Sequence, residues 1–258
     1  MDDATEPPFC FVMPPIDADS LADWFDSGNR QEFCLSASFD REFVDGLCSA
    51  GFFPMAAAGP DGTDFLVAKL HAERAALDPR LVHVSRTVRR ESSRYSLGVN
   101  SRFDDVLEAC AATHGEGWLT PALRSCFKEL FLTRAERSAR FASFELYDGP
   151  DLVAGEIGIF VGAAYTSLTG YRSAAGAGTV QLAATGRWLE AVGIRLWDLG
   201  MPLEYKTALG ARLFSRRDFL ALFRESRSVP PPRLRSSMAP VPARLLVVRG
   251  WAHADAPW

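Results

Sequence analysis

Residues 152–170, "LVAGEIGIFVGAAYTSLTG", decide how the rest of the chain is read. The stretch is strand-like and long enough to fold back on itself, so it reads as a hairpin. It is preceded by a further strand pattern, "RFASFELYD" (140–148). It is followed by "GTVQLAATGRWLEAVG" (178–193), a helix closed by Gly193 at its C-cap, and then by the strand "IRLWDL" (194–199). Strands that lead into a helix and then into one more strand call for a crossover in a mixed sheet. The fold class is therefore α+β.

Upstream, "RFDDVLEACAATH" (102–114) and "PALRSCFKELFLTR" (121–134) have helical periodicity, with Pro121 suited to a first turn. Three regions separate. Residues 1–85 are acidic and broken by Pro and Gly, with one helical pattern, "FDREFVDGLCSAGFF", that puts Phe39, Phe43, Leu47 and Cys48 on one face. They read as a small N-terminal domain. Residues 86–228 hold the alternating helices and strands, and 229–258 form a Pro-rich C-terminal tail in which "ARLLVVRG" is a candidate edge strand.

The net charge of −4 conceals an asymmetry: residues 1–70 carry thirteen acids against Arg30, Arg41 and Lys69, so the remainder is basic. That basic side is almost all arginine, clustered at Arg86, Arg89, Arg90 and Arg94 and again at Arg212, Arg216 and Arg217. Guanidinium forks suit phosphate, although a chain with only three lysines also reflects a general preference for arginine. No apolar run is long enough for a membrane span, and the acidic, Pro-rich start "MDDATEPP" suits neither a signal nor a transit peptide. The expectation is a cytoplasmic protein without membrane contact. Five cysteines without CxxC spacing point to reduced, buried thiols.

The chain contains no GxSxG, P-loop or HExxH pattern, and His71, His83, His114 and His253 have no mutual spacing that suits a metal. No metal is expected. Asp198 ends an apolar strand pattern and drops into a Gly-rich turn. A carboxylate there is either satisfied by the next turn or kept for chemistry. "YRSAAGAGTVQL" (171–182) sets Gly176 and Gly178 ahead of a helix, where backbone N–H groups can cradle an anion. The loop is similar to the (Gln/Arg)-x-x-Gly-x-(Gly/Ala) coenzyme A loop of GNAT acetyltransferases, but Ser173 stands at its first position and Arg172 lies one place too early.

Several blocks together resemble a known family. "FDREFVDGLCSAGFFP" (39–54), "LVHVSRTVRR" (81–90), "FDDVLEACA" (103–111), "GWLTP" (117–121), "SFELY" (143–147), "LVAGEIGIFVG" (152–162) and "LGARLFSRRDFL" (209–220) follow the order and spacing of the leucyl/phenylalanyl-tRNA–protein transferases. The resemblance implies a small α/β N-terminal domain followed by a GNAT-type acyltransferase domain, a mixed sheet with flanking helices. It implies transfer of a Leu- or Phe-like amino acid from aminoacyl-tRNA to the N-terminal amine of an acceptor protein, which marks that protein for degradation. Aminoacyl-tRNA is then the co-substrate, no cofactor is needed, and the partners are aminoacyl-tRNA and acceptor N-termini, with the enzyme acting as a monomer.

The same resemblance assigns site residues. The family's Asp-Cys-Gln falls on Asp198, Leu199 and Gly200, so the acid is kept, the amide is lost, and Asp198 is the expected catalytic carboxylate with Tyr205 or Lys206 as helpers. Its Gly-Glu-Ser-Met-Phe falls on Ser167, Leu168, Thr169, Gly170 and Tyr171, so the glutamate that helps to receive a basic first residue is Leu168 here. Tyr165 and Tyr171 stand for phenylalanines of the donor pocket, and Trp118 is placed to stack on the 3′ adenosine. Of the family's Trp-Trp-Ser-Pro-Asp-Pro-Arg only Arg74 matches, and Arg74, Arg86, Arg89 and Arg90 are the expected tRNA contacts. Glu145 and Glu156 alternate with their neighbours on adjacent strands, so either can supply the charge missing at Leu168. Two alternatives stay open: an acyl-coenzyme A-dependent N-acyltransferase on the same fold, and a catalytically weak tRNA- or peptide-binding relative.

Overall fold

The computed structural model describes residues 10–28, 31–59, 61–115, 117–231 and 237–249. In chain order its strands are β1 (Cys10–Phe11), β2 (Phe33–Ser36), β3 (Phe53–Ala58), β4 (Asp64–Lys69), β5 (Glu73–Leu77), β6 (Tyr95–Val99), β7 (Arg140–Asp148), β8 (Asp151–Val161), β9 (Ala164–Arg172), β10 (Leu196–Asp198), β11 (Arg212–Ser215) and β12 (Met238–Pro242). The helices are α1 (Ala18–Asp26), α2 (Arg41–Ser49), α3 (Arg86–Glu91), α4 (Phe103–His114), α5 (Pro121–Leu132), α6 (Ala177–Ala191), α7 (Glu204–Leu209), α8 (Arg216–Arg227) and α9 (Ala243–Arg249).

They build a four-stranded sheet, β1-β2-β4-β3, and an eight-stranded sheet, β11-β5-β10-β9-β8-β7-β6-β12. Local chemistry sets many of the boundaries. Asp40 accepts from the Phe43 N–H at 2.9 Å and starts α2, which buries Phe43, Leu47 and Cys48 as the periodicity predicts and Val44 besides, while Phe39 lies ahead of the helix and is half-buried. The 152–170 stretch is the β8–β9 hairpin, and Gly162 makes its turn possible. It sits at φ +56°, and a Cβ there would lie 2.3 Å from the Arg227 carbonyl oxygen. Helix α6 then crosses back, and β9 and β10 are the one parallel pair of the large sheet among the described residues. The chain is thus a mixed α and β structure with the expected crossover.

Side chains alternate across the large sheet into two cores. One face, with Phe141, Ile157 and Ile159, packs under α4, α5 and α8 and continues into the small sheet. The other, with Phe144, Phe160 and Tyr165, packs under α6, which contributes Trp188, and α9. Two sequence expectations change here. Strand β5 pairs inside the large sheet although it precedes residue 85. In the Pro-rich tail the edge strand is Met238–Pro242, and "ARLLVVRG" begins the helix α9 instead, with Ala243, Leu246 and Val247 buried against the sheet. Residues 250–258 of that tail lie outside the described residues. Cys34, Cys48, Cys110 and Cys126 are free and buried, and desolvation pushes each thiol up.

Glu145 has a structural post. It lies on the α4 face of β7, where its carboxylate accepts from the Ser101 and Arg102 N–H groups at 3.1 and 3.2 Å and from the Ser143 hydroxyl at 2.6 Å, capping the entry to α4. Burial pushes its pKa up to about 7. A carboxyl raised in the folded state adds stability that is complete below its ordinary range and is lost as pH climbs through about 7. The stability of the protein relative to Glu145→Gln is therefore expected to fall by roughly 2 kcal/mol between pH 5 and pH 8, measured by urea denaturation.

Candidate functional site

The pairing of β9 with β10 is short. It runs from Ala164↔Leu196 to Thr166↔Asp198, after which Gly200, at φ +73°, turns the chain away toward α7 while β9 continues to Arg172. A register slip between Ile157 and Gly158 leaves Leu168 as a bulge on β9. The strands splay, and a cleft of about 1170 Å³ opens between them.

The walls of this cleft are mainly apolar. Phe53 and Met55 of β3 meet Trp118, whose carbonyl accepts from the Ala56 N–H at 2.9 Å and so stitches the small sheet to the loop before α5. Leu168 and Tyr171 line the β9 side, and Met201, Leu203 and Tyr205 form an exposed rim on the opposite side. Gly176 and Thr179 at the start of α6 and Ser85 and Val88 of α3 close the far end.

Polar groups enter at a few points. Glu156 is the only carboxylate among the described lining residues, and it is 3% exposed. Its Oε1 accepts from the Tyr165 hydroxyl at 2.8 Å and the Ser167 hydroxyl at 3.2 Å, and Gln181, whose Nε2 donates to Thr185 at 2.9 Å, favours the charged form from α6. Burial pushes its pKa up to about 7 against those donors. Gly158 makes room for this arrangement, because a Cβ there would lie 2.2 Å from the Tyr165 hydroxyl oxygen. Lys206 donates to the carbonyls of Leu199 and Met201, the latter at 2.8 Å, and burial lowers its pKa to about 8. His71 is held neutral, its pKa lowered to about 3 by burial and by the cations Arg74, Lys69, Lys206 and Arg216.

Of the residues singled out from sequence, Trp118, Glu156, Leu168, Thr169, Tyr171, Gly200 and Tyr205 line this one cleft. Tyr165 is fully buried behind it and reaches it only through Glu156. Glu145 does not face it: β7 and β8 pair Phe144 with Glu156, which sends Glu145 to the opposite side of the sheet. Arg86, Arg89 and Arg90 lie on the exposed side of α3 at the cleft's far end, with Arg90 paired to Glu91 at 3.0 Å. Sequence reasoning missed Phe53, Met55, His71 and Gln181 as lining residues: Phe53 and Gln181 sit in blocks that point to other features, His71 has no partner spacing, and Met55 belongs to no block.

Two expectations fail on geometry. Arg74 cannot touch tRNA, because it is 0% exposed and pairs with Asp198 at 2.7 Å, donates to the Gly51 carbonyl at 2.6 Å and lies over the Phe219 ring at 4.6 Å. Asp198 is likewise not a free base. Its Oδ2 accepts from Arg74 and from Thr166 at 3.1 Å, its Oδ1 accepts from the Gly200 N–H at 2.8 Å, and it does not line the cleft. It is tied into the turn whose Leu199 and Met201 carbonyls hold Lys206.

Breaking a buried pair strands the partner's charge, at a cost of about 3–5 kcal/mol. Arg74→Met and Asp198→Asn are each expected to lose about that much in urea denaturation. Arg74→Met combined with Asp198→Leu is expected to recover most of the loss. Full stability in either single variant would contradict the assignment.

The sequence profile of the family described as leucyl/phenylalanyl-tRNA protein transferase matches residues 76–224. A leucyl/phenylalanyl-tRNA–protein transferase of Anaeromyxobacter dehalogenans (strain 2CP-C) is 30% identical over 168 residues, which cover 63% of this chain and 69% of that protein. One from Pseudomonas fluorescens (strain SBW25) is 28% identical over 162 residues, covering 61% and 70%. Among solved structures the chain is similar to FemX, with a TM-score of 0.43 and 10% identity over 81% of this chain and 80% of that one. With a profile that spans more than half of its length and relatives at this identity, the chain belongs to the leucyl/phenylalanyl-tRNA protein transferase family.

Proposed function

We propose that the protein transfers a Leu- or Phe-like amino acid from aminoacyl-tRNA to the N-terminal amine of an acceptor protein, tagging it for degradation in the cytoplasm. The observation that carries this reading is the cleft in the β9–β10 splay, which has apolar walls for an aminoacyl side chain and one carboxylate and one buried ammonium for the reacting groups. The large sheet and its helices act as a GNAT-type acyltransferase domain. A small N-terminal domain precedes it, with the division before Glu73 rather than at 85, and the enzyme works as a monomer without a cofactor. The alternative donor, an acyl-coenzyme A, would use the same α6 start.

The chemistry asked of the protein is modest. An aminoacyl ester is already activated, so holding the amine against the carbonyl supplies much of the rate. The amine nitrogen forms the new amide bond, the ester C–O bond breaks, and the ribose hydroxyl of the terminal adenosine leaves with a proton. Lys206, pinned by the turn that Asp198 holds, offers its ammonium to the oxyanion that develops on the carbonyl. Trp118 stacks on the terminal adenine, Tyr171, Leu168 and Thr169 contact the aminoacyl group, and Gly200 and Tyr205 border it. Arg86 and Arg89 meet the tRNA backbone.

Incubation with radiolabelled aminoacyl-tRNAs and a peptide panel is expected to give peptide-linked label, and acyl-coenzyme A none. Replacing Arg86 and Arg89 by alanine is expected to reduce the slope of log affinity against log salt by roughly two contacts. The rate is expected to fall as pH passes about 8, where Lys206 loses its proton, and Lys206→Met is expected to abolish that fall and lower the rate at pH 7.

A further inference from the structure

Any acceptor in this reaction reaches the cleft as an amine, and at neutral pH an α-amine is largely the ammonium, with an ordinary pKa of about 7.7–8.0. It must give up that proton before it can attack. The carboxylate that the sequence suggests for this task, Asp198, is sealed on the other face of the sheet by Arg74, Thr166 and the Gly200 amide. The cleft has a single acid among its described lining residues. Resting on the transfer reading above, we infer that Glu156 receives the acceptor ammonium and takes its proton.

The geometry that supports this is local. Glu156 stands on the α6 face of β8, opposite Gly170 of β9 and beside the bulge at Leu168, one strand in from the place where β9 and β10 part. Ser167, half-buried at the cleft wall, accepts from the Trp197 indole N–H at 2.9 Å, which leaves its own proton to be given to Glu156 at 3.2 Å. The hydroxyl is thus oriented as a donor toward the carboxylate, and Tyr165 does the same from behind at 2.8 Å. Lys206, the charged group on α7 nearest in influence, is occupied by two carbonyls and makes no ion pair with Glu156 among the described residues. The carboxylate therefore stands without a bonded cation at the one place where the reaction brings one.

The proton balance follows. An N–H proton of the ammonium passes to Glu156, the neutral amine adds to the ester carbonyl, its nitrogen releases a second N–H proton to water, and the ribose oxygen leaves as the tetrahedral intermediate collapses. The proton held on Glu156 goes to that oxygen, and the carboxylate is restored. Burial tunes Glu156 to about 7, close to the pKa of the group whose proton it accepts. The titratable neighbours that face it are Tyr165 on β9 and Tyr205 and Lys206 on α7, α6 presents the neutral Gln181, and Cys110 on α4 feels its charge from the other side of the sheet.

The test compares the wild type with Glu156→Gln in single-turnover transfer from leucyl-tRNA and phenylalanyl-tRNA to a peptide. The variant is expected to lose about 10²- to 10⁴-fold in rate, with Glu156→Asp recovering part of it. Its affinity for an aminoacyl-adenosine in which an amide replaces the ester is expected to stay unchanged, which shows an intact cleft. With an alkoxyamine acceptor, whose nitrogen is already neutral at pH 7, the loss is expected to shrink to within about tenfold, a change that a purely structural role would not produce. A Gln variant that transfers to peptide within tenfold of the wild type, or one equally impaired with both acceptors, overturns the inference. A wild type that transfers nothing from any aminoacyl-tRNA overturns the transfer reading itself.

Discussion

The ion pair between Arg74 and Asp198 is the constraint on which the site depends. It joins β5 to β10, residues that lie 124 positions apart, and both partners are withdrawn from water. Desolvating two charges costs several kcal/mol each, so such a pair is tolerated only where further hydrogen bonds complete it. Here the Gly51 carbonyl, the Thr166 hydroxyl and the Gly200 amide do so, and Phe219 lies over the guanidinium. The pair therefore ties the small sheet's Gly51 turn, the large sheet and α8 to one point. From that point the turn at 199–201 projects into the cleft and fixes Lys206.

Three buried acids of the large sheet divide their work by face. Asp198 and Glu145 lie on the side of α8 and α4, where each is consumed by a structural partner. Glu156 lies on the α6 side, where the bulge in β9 and the early end of β10 open the sheet. The same splay that ends the β9–β10 pairing opens the cleft, and the acid left beside it is the one that the proposed transfer uses. His71, kept neutral by its cationic surroundings, adds no competing charge.

Local patterns made the central motif legible. The β8–β9 hairpin, α6 and β10 follow one another within 151–198, and their periodicity, glycine turns and capping residues are all encoded nearby. The site was legible only in part, because its decisive features are non-local. Alternation along β7 and β8 shows that Glu145 and Glu156 each favour one face, but the face depends on the pairing of Phe144 with Glu156. Arg74 reads as a tRNA contact until β5 is seen beside β10, where it meets Asp198 instead. Strand β3, "FPMAAA", has too little alternation to read as a strand, and β12, "MAPVP", contains prolines that only an edge tolerates.

The division between a structural Asp198 and a reactive cleft is open to one direct measurement. A crystal structure of the protein with phenylalanyl-adenosine, an amide replacing the ester, would show where the reacting carbonyl lies. The account predicts the aminoacyl group in the β9–β10 splay, its carbonyl facing Lys206 and Glu156, with the Arg74–Asp198 pair unbroken at its 2.7 Å separation. A ligand seated outside the splay, or an Asp198 released from Arg74 and bonded to the ligand, would contradict it.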